Sequence, residues 1–448
     1  MKLGKFNSTE QLPLLYEADV AVIGAGPGGL GAAIMSARCG AKTVLIEAYG
    51  LPGGMAVIGE VQPFMISGTR EKPLDGPIYL QWKEAMFKYF PKAEQDKYQN
   101  ALDYSNRAIN KSVAACAAED LLLENNVEIL YHHQLVGVNK VDDKISEIIC
   151  YTNGGFGIVK AKVFVDSTGD GNLAALADCP FEMGDQQGGC QPMTLCFKLS
   201  HVKIPFIQYS NNERFIDPEW KNTINKYYEQ AKKAGIISCP RDNVLLFPFQ
   251  IADEGVVHFN TTRVQGFDPT DGRSFSKAEI EGRKQLKELV KFFQEQVPGF
   301  ENSRLMSMAV QIGVRESRRI KGKYYLKVDD FVNCARFDDV IARSTYNIDI
   351  HSPSGGGTTL RNLEQGDYYE IPYRSVVPLN CKNLTIGSRC ISSDVAVHSS
   401  LRIMPTVISI GQGAGVGAAL AAINNISPHD VNGKDVRNKL MALGANLS

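Results

Sequence analysis

Val20-Ala21-Val22-Ile23-Gly24-Ala25-Gly26-Pro27-Gly28-Gly29 is the stretch on which the fold turns. The β-branched run from Asp19 to Ile23 predicts a strand, the glycine cluster a tight turn, and the small and apolar residues through Cys39 a helix. A second apolar run, Thr43 to Ile46, completes a strand–helix–strand unit, which crosses over right-handedly and is the building block of doubly wound α/β folds. Gly24, Gly26 and Gly29 fill the pattern G-x-G-x-x-G. The first allows the turn, the second lets a pyrophosphate approach the backbone, and the third lets helix and strand pack closely. The helix start adds free amides and a positive dipole end. Glu47 stands 23 positions after Gly24, close to the roughly 20-residue interval at which an acid meets the ribose hydroxyls of an unphosphorylated adenosine. Gly24, Ala25, Gly26, Pro27, Gly28, Gly29, Glu47 and Ala48 are therefore candidate contacts of an adenine dinucleotide. The bland alternative is a glycine-rich turn without a ligand, and the fingerprint alone does not separate NAD from FAD.

Three features further along favour a flavin. Leu51-Pro52-Gly53-Gly54-Met55 follows the ribose acid and offers backbone nearly free of side chains, with Gly53, Gly54 and Met55 as candidate contacts. Apolar and small residues at helical spacing from Asn106 to Asn125 precede a strand that starts at Val127 and continues toward Val138, carrying Val136 as a further candidate. Glu147 to Tyr151 and Ile158 to Val165 then alternate around Asn153-Gly154-Gly155 as a meander, which ends in a second glycine turn, Asp166-Ser167-Thr168-Gly169-Asp170-Gly171. Ser167, Thr168, Gly169 and Asp170 are candidates for supporting the first phosphate loop. Finally, Asn383 to Ile386 predicts a returning strand. The segment Gly387-Ser388-Arg389 follows it, and then Met404-Pro405-Thr406 opens a helix over Pro405 to Ile423. Gly387, Arg389, Pro405 and Thr406 fit a cofactor edge, because a helix N-terminus stabilises the negative charge that a reduced isoalloxazine gathers at N1–C2=O.

At 448 residues the chain exceeds one ordinary core, so roughly two or three domains of about 150 residues are expected. The change of character near Asp185 divides it into a cofactor domain from 1–184 and 376–448 and an inserted substrate domain over 185–375, with a long helix from Lys277 to Gln296. The expected class is α/β: a Rossmann-like FAD-binding domain, with a central parallel sheet, helices and a small β-meander, carrying an inserted α+β substrate domain. Hydrophobic residues at 44% and charged residues at 22% exclude a disordered or fibrous chain. A formal net charge of −1 gives no electrostatic footprint for a polyanion, so neither nucleic acid nor a membrane surface is an expected partner. Ten cysteines without a C-x-x-C spacing read as reduced thiols, and no metal site is expected. The opening Met1 to Asn7 develops no apolar core of a secretory signal. Val407 to Ile423 carries four glycines and Gln412 and reads as a buried helix, being short of a membrane span of about 20 residues. A cytoplasmic location is the expectation.

Taken together, Gly24 to Gly29, Gly53-Gly54-Met55, Val165 to Gly171, Gly313-Val314-Arg315-Glu316-Ser317-Arg318-Arg319-Ile320, Ile348-Asp349-Ile350-His351 and His398-Ser399-Ser400-Leu401-Arg402-Ile403-Met404-Pro405-Thr406 resemble the FAD-dependent oxidoreductase family, of which the nearest group is bacterial. That family is distantly related to the flavoprotein subunits of fumarate reductase and succinate dehydrogenase. The likeness runs over most of the chain. It implies a split FAD domain and hydride movement between flavin N5 and a bound substrate. The full substrate-clamping set of histidines and arginines of fumarate reductase is not found, nor a histidine for covalent flavin attachment, so non-covalent FAD is expected.

Hydride transfer needs a group to give or take the accompanying proton and donors that polarise an oxygen. His398 is the first candidate for the proton, against a structural or flavin-contacting role. Arg402 either holds a carboxylate, polarises a carbonyl or ties loop to domain by an ion pair. Of the cluster Arg315, Arg318 and Arg319, Arg315 is the one expected to face a substrate. His351 is an acid or base if Asp349, two positions away on a strand, orients it. The expected partners are a small hydroxy or keto metabolite such as a sugar derivative and an electron acceptor or donor, with a homo-oligomer left open. Two rivals stand: an NAD-only dehydrogenase, and a flavin-bound sensor or assembly subunit without turnover.

Overall fold

The computed structural model describes residues 12–65, 67–68, 74–92, 95, 109–208, 214–248 and 255–448. The opening Met1 to Asn7, the first residues of the expected helix at Asn106, and Phe249 lie outside the described residues. The first strand, β1 (Leu14–Ile23), is the centre of the main sheet, and Val20, Ala21 and Val22 are fully buried. A strand covered on both faces reads as a continuous apolar run rather than an alternating one. The chain turns into α1 (Pro27–Arg38), with proline in its first turn where no amide donor is missed, and returns as β2 (Thr43–Ile46), parallel to β1.

The expected strand from Val127 toward Val138 is two. Its first part, β3 (Glu128–Leu130), pairs parallel with β2, and its second, β4 (Gln134–Val141), leaves for the meander. Between them His132 adopts a left-handed backbone, φ 57°, which no strand tolerates. The strands β5 (Lys144–Thr152) and β6 (Gly155–Asp166) complete the meander. β6 has a double allegiance: its start pairs antiparallel with β5, its length pairs parallel with β1, and its end, Phe164 to Asp166, pairs parallel with the returning strand Leu384–Ile386. Both ends of the chain thus meet on one strand, inside one sheet.

The closing helix Met404–Asn424 fixes that union. It is long and apolar enough to cross a membrane by length and composition, yet 89% of its apolar window is buried inside the protein. It lies against α1 at backbone contact. A Cβ at Gly411 would sit 2.0 Å from the Gly28 carbonyl oxygen, and one at Gly28 would sit 1.9 Å from the Gly387 carbonyl oxygen. Only glycine leaves room for these approaches.

A second core gathers Met193 to Val314 around an antiparallel sheet, Leu246–Pro248, Val257–Phe259, Phe197–Ser200 and Arg304–Met308 in that order. The helix Gly272–Gln296 buries Ala278, Gly282, Leu286, Leu289 and Phe293 on one face, a helical period that the sequence displays openly. Ile320 to Val377 packs instead into the first core. Part of the stretch expected as an insert over 185–375 therefore shares its core with the fingerprint strand. Within 320–377 the strand pair Val340–Ser344 and Tyr369–Pro372 lies against the closing helix, and the pair Ile348–His351 and Thr358–Arg361 lies by the short helix Val395–Leu401. Composition alone does not reveal which core they join. Between the cores, the fully buried Glu60 carboxylate takes Lys198 at 2.5 Å from the second and Lys111 at 2.6 Å from the first.

The glycine contacts give a direct test. Gly411→Ala is expected to lower unfolding stability in urea by about 3 kcal/mol, the upper end of ordinary overpacking, because backbone rather than a mobile side chain stands in the way. Gly272→Ala, where an added Cβ meets nothing within 4 Å, is expected to be neutral or slightly stabilising.

Candidate active site

A single cavity of about 1530 Å³ runs from the carboxyl ends of β1 and β2 to the second core. Ligand pockets usually measure about 300–1,000 Å³, so this one has room for a cofactor and a substrate together. Its position outside the strand ends, at the point where connections diverge, is where open α/β sheets bind ligands.

At one end lie Gly24, Gly26, Pro27 and Gly28, with Glu47, Ala48 and Val136 beyond them. Gly24 has φ +98°, and a Cβ there would approach the Ser167 carbonyl oxygen to 2.5 Å. The second glycine turn thus buttresses the first. Gly29 faces inward, where a Cβ would lie 1.8 Å from the Gly24 oxygen. At Gly26 a Cβ would meet only Gly54, at 3.8 Å, and would otherwise fill the cavity. That open cradle, beside a helix start, fits a pyrophosphate. Glu47 accepts from the Ala25 amide at 2.7 Å and from the Tyr49 amide at 2.9 Å. Ala25 therefore does not line the cavity but aims the acid that does. Burial raises the Glu47 pKa against these hydrogen bonds.

Along the middle run Gly54, Met55, Ser167, Thr168, Gly169, Asp170 and Arg389. Arg389 holds Asp170 at 2.6 Å, and the Ser317 hydroxyl donates to the same carboxylate at 2.7 Å. Gly53 and Gly387 lie behind this wall: the Gly53 amide donates to the Ala25 carbonyl, and the Gly387 carbonyl accepts from Ser167 Oγ at 2.9 Å. The closing helix reaches the cavity through Ile403, Met404 and Val407, whereas Pro405 and Thr406 turn into the core. The helix start is where the sequence places it, one register off in the residues that face outward. Successive positions of a first turn point about 100° apart, so adjacent residues cannot all face one wall.

At the far end Arg315, Arg402, Asp349 and His351 come together, joined by Arg241, Thr194 and Tyr346. His351 Nε2 lies 3.3 Å from Asp349 Oδ2 and its Nδ1 lies 3.1 Å from Thr358 Oγ1. Arg402 donates to the Asp349 backbone carbonyl at 2.7 Å and lies 3.6 Å from its carboxylate, while its Nη1 is buried without a partner. Arg315 donates to the Pro192 carbonyl and, at 3.4 Å, to Thr194 Oγ1. Burial, then the neighbouring Arg402, push Arg315 down to about 9, which leaves it charged at neutral pH. Burial followed by Arg315 drives His351 down to about 4. Burial would raise Asp349, but the His351 hydrogen bond and the two arginines hold it near 2.

The structure does not bring His398 to this group. It is fully buried, its ring nitrogens meet no partner, and burial followed by Arg402 pushes its pKa well below the usual histidine value. Its helix, Val395–Leu401, turns the ring inward and leaves Arg402, just beyond the helix end, at the cavity. Arg318 lies by the second glycine turn, donating to the Asp170 carbonyl at 2.9 Å, and Arg319 is buried against Glu316 at 2.5 Å. Sequence reasoning missed Arg241, Thr194 and Tyr346. They sit in segments without a local motif, and only the apposition of the two cores aligns them.

Acid titration tests the site. An unfolded histidine takes up its proton near pH 6.5, whereas His351 does so only near 4, so the unfolded state gains protons first and stability falls as pH drops through that window. Below it, Asp349 extends the loss from 3.8 toward 2. Buried His258 and His398 add to the upper slope. In urea midpoints measured against pH, His351→Gln is expected to remove on the order of 3 kcal/mol of the loss between pH 6.5 and 4. An unchanged slope would place His351 in contact with water.

Solved structures similar to the chain include a geranylgeranyl bacteriochlorophyll reductase-like protein from Thermoplasma acidophilum, 14% identical, covering 96% of this chain and 83% of that one, with a TM-score of 0.44. A p-nitrophenol 4-monooxygenase from Pseudomonas putida is 11% identical, with coverages of 95% and 84% and a TM-score of 0.42. The myxobacterial chondrochloren halogenase CndH, an FAD-dependent enzyme, is 11% identical, with coverages of 95% and 78% and a TM-score of 0.45. The family model described as FAD dependent oxidoreductase matches residues 19–440, from the start of the fingerprint strand to the last helix. FAD, rather than NAD alone, is accordingly the cofactor, and this chain belongs to the FAD-dependent oxidoreductase family.

Proposed function

We propose that the protein moves a hydride between flavin N5 and a small polar hydroxy or keto metabolite, such as a sugar derivative, bound where the two cores meet. The supporting observation is that one continuous cavity carries the dinucleotide cradle at one end and Arg315, Arg402, Asp349 and His351 at the other. When bound, FAD supplies a two-electron redox centre.

The chain's own groups do the rest. Gly24 to Gly28 and Ser167 to Asp170 hold the phosphates, and Glu47 the adenosine ribose. Arg402, with Nη1 unpartnered, polarises a substrate oxygen, which a fixed guanidinium fork does without reorganisation. His351 is neutral above about pH 4 and exchanges the accompanying proton at Nδ1, beside the Thr358 hydroxyl. Asp349 at Nε2 fixes the ring and stabilises the imidazolium that forms. A separate electron acceptor or donor restores the flavin. The ten cysteines are free, in keeping with a cytoplasmic setting.

Anaerobic mixing of the flavin-loaded protein with a panel of hydroxy and keto metabolites tests this reading. One class is expected to bleach the visible flavin absorbance, and Arg402→Ala to lower kcat/KM for it by about 100-fold, as for loss of one well-placed donor. A loaded protein that no metabolite reduces, and whose reduced form no keto compound reoxidises, would instead be a sensor or assembly subunit.

A further inference from the structure

We infer that the substrate is a carboxylate anion and that Arg241, from the inserted core, is the residue that selects it; this rests on the hydride-transfer reading above. Arg241, Arg315 and Arg402 come from three separate parts of the chain and line the same end of the cavity. Among the described residues neither Arg241 nor Arg315 has an ion-pair partner, and Arg402 has only Asp349, at 3.6 Å. Among the described residues the Arg241 side chain bonds only Asn243 Oδ1, at 3.3 Å, Arg315 bonds a carbonyl and a hydroxyl, and Nη1 of the buried Arg402 has no partner. Arg263 stands behind them, its fork on the carbonyls of Ser352 and Gly357.

The opposing charge is small. Asp349 is the carboxylate at the centre, and its lowered pKa keeps it ionised. Glu316 is taken by Arg319 at 2.5 Å, and Asp242, which also faces Arg263, is largely exposed and 3.9 Å from Lys232. His351 is neutral at working pH. Three guanidiniums therefore share one carboxylate among the described residues.

Buried cations without counter-charge are costly, and clusters of them persist where an anion completes them. Planar forks match a carboxylate in paired hydrogen bonds. A neutral sugar derivative would leave the excess charge uncompensated, whereas a hydroxy or keto acid would place its carboxylate on the forks and its reacting carbon beside His351. Arg241 carries the selectivity because it reaches the site from the inserted core and lies apart from both glycine turns. Its loss spares the cofactor cradle.

Calorimetric titration of the FAD-loaded protein with glyoxylate, lactate, malate and citrate, and with lactamide and glycerol as neutral counterparts, decides the matter. At least one of the acids is expected to bind about tenfold or more tightly than lactamide. Arg241→Gln is expected to weaken that acid about tenfold with flavin content and lactamide affinity unchanged, and Arg241→Lys to restore part of the loss, which a purely structural role would not allow. The inference is overturned if no acid binds, if lactamide matches the best acid, if glycerol 3-phosphate, titrated alongside, outbinds every acid, or if Arg241→Gln binds the best acid as the natural protein does. A protein that takes up no FAD would sink the hydride-transfer reading instead, and the same titration of the apoprotein would still judge the anion site.

Discussion

The structure depends on peptide backbones meeting without side chains between them. Gly24 lies against Ser167, Gly28 against Gly387, and Gly411 against Gly28. These contacts bring together three loops from positions near 25, 168 and 388 and one helix from the far end of the chain. A methyl group at any of them would force the elements apart. The cavity exists because its walls can stand this close, and its phosphate end is made of backbone because nothing else fits.

The opposite end is governed by charge. Arg241, Arg315 and Arg402 gather around Asp349, and burial, with the charges of Arg315 and Arg402, keeps His351 neutral above about pH 4. The two ends obey different physics, steric at the glycine turns and electrostatic at the arginine cluster, and the seam between the cores joins them. Glu60 sits in that seam with Lys111 and Lys198, one from each side. An ion pair buried this deeply adds little net stability over an apolar contact, but it is strongly directional. It suits a joint whose angle sets the distance between cofactor and substrate.

The positions of His398 and Arg402 show how finely side-chain direction divides function from packing. Four residues apart, they occupy the middle of one short helix and the residue just beyond its end. Arg402 reaches the cavity; His398 is enclosed by the protein, its ring nitrogens without a partner among the described residues and its pKa pushed well below the usual histidine value by burial. Chemical type favours the histidine as a proton carrier, but of the two histidines His351 lines the cavity and His398 does not.

By itself the sequence determined the βαβ unit, both glycine turns, the long amphipathic helix and the return of the C-terminal segment to the first sheet. Each is a local matter of periodicity or of glycine at fixed spacing, and such signals survive without knowledge of the rest of the chain. Tertiary structure alone decided that Val127 to Val138 breaks at His132, that residues 320–377 join the first core, that Met404 and Val407 rather than Pro405 and Thr406 face the cavity, and that Arg241 and Tyr346 stand beside Arg402. The physical reason is the same in each case. Which wall a side chain faces depends on how two cores dock, and docking is set by the sum of many contacts between residues far apart in sequence, none of which leaves a mark at the position it governs.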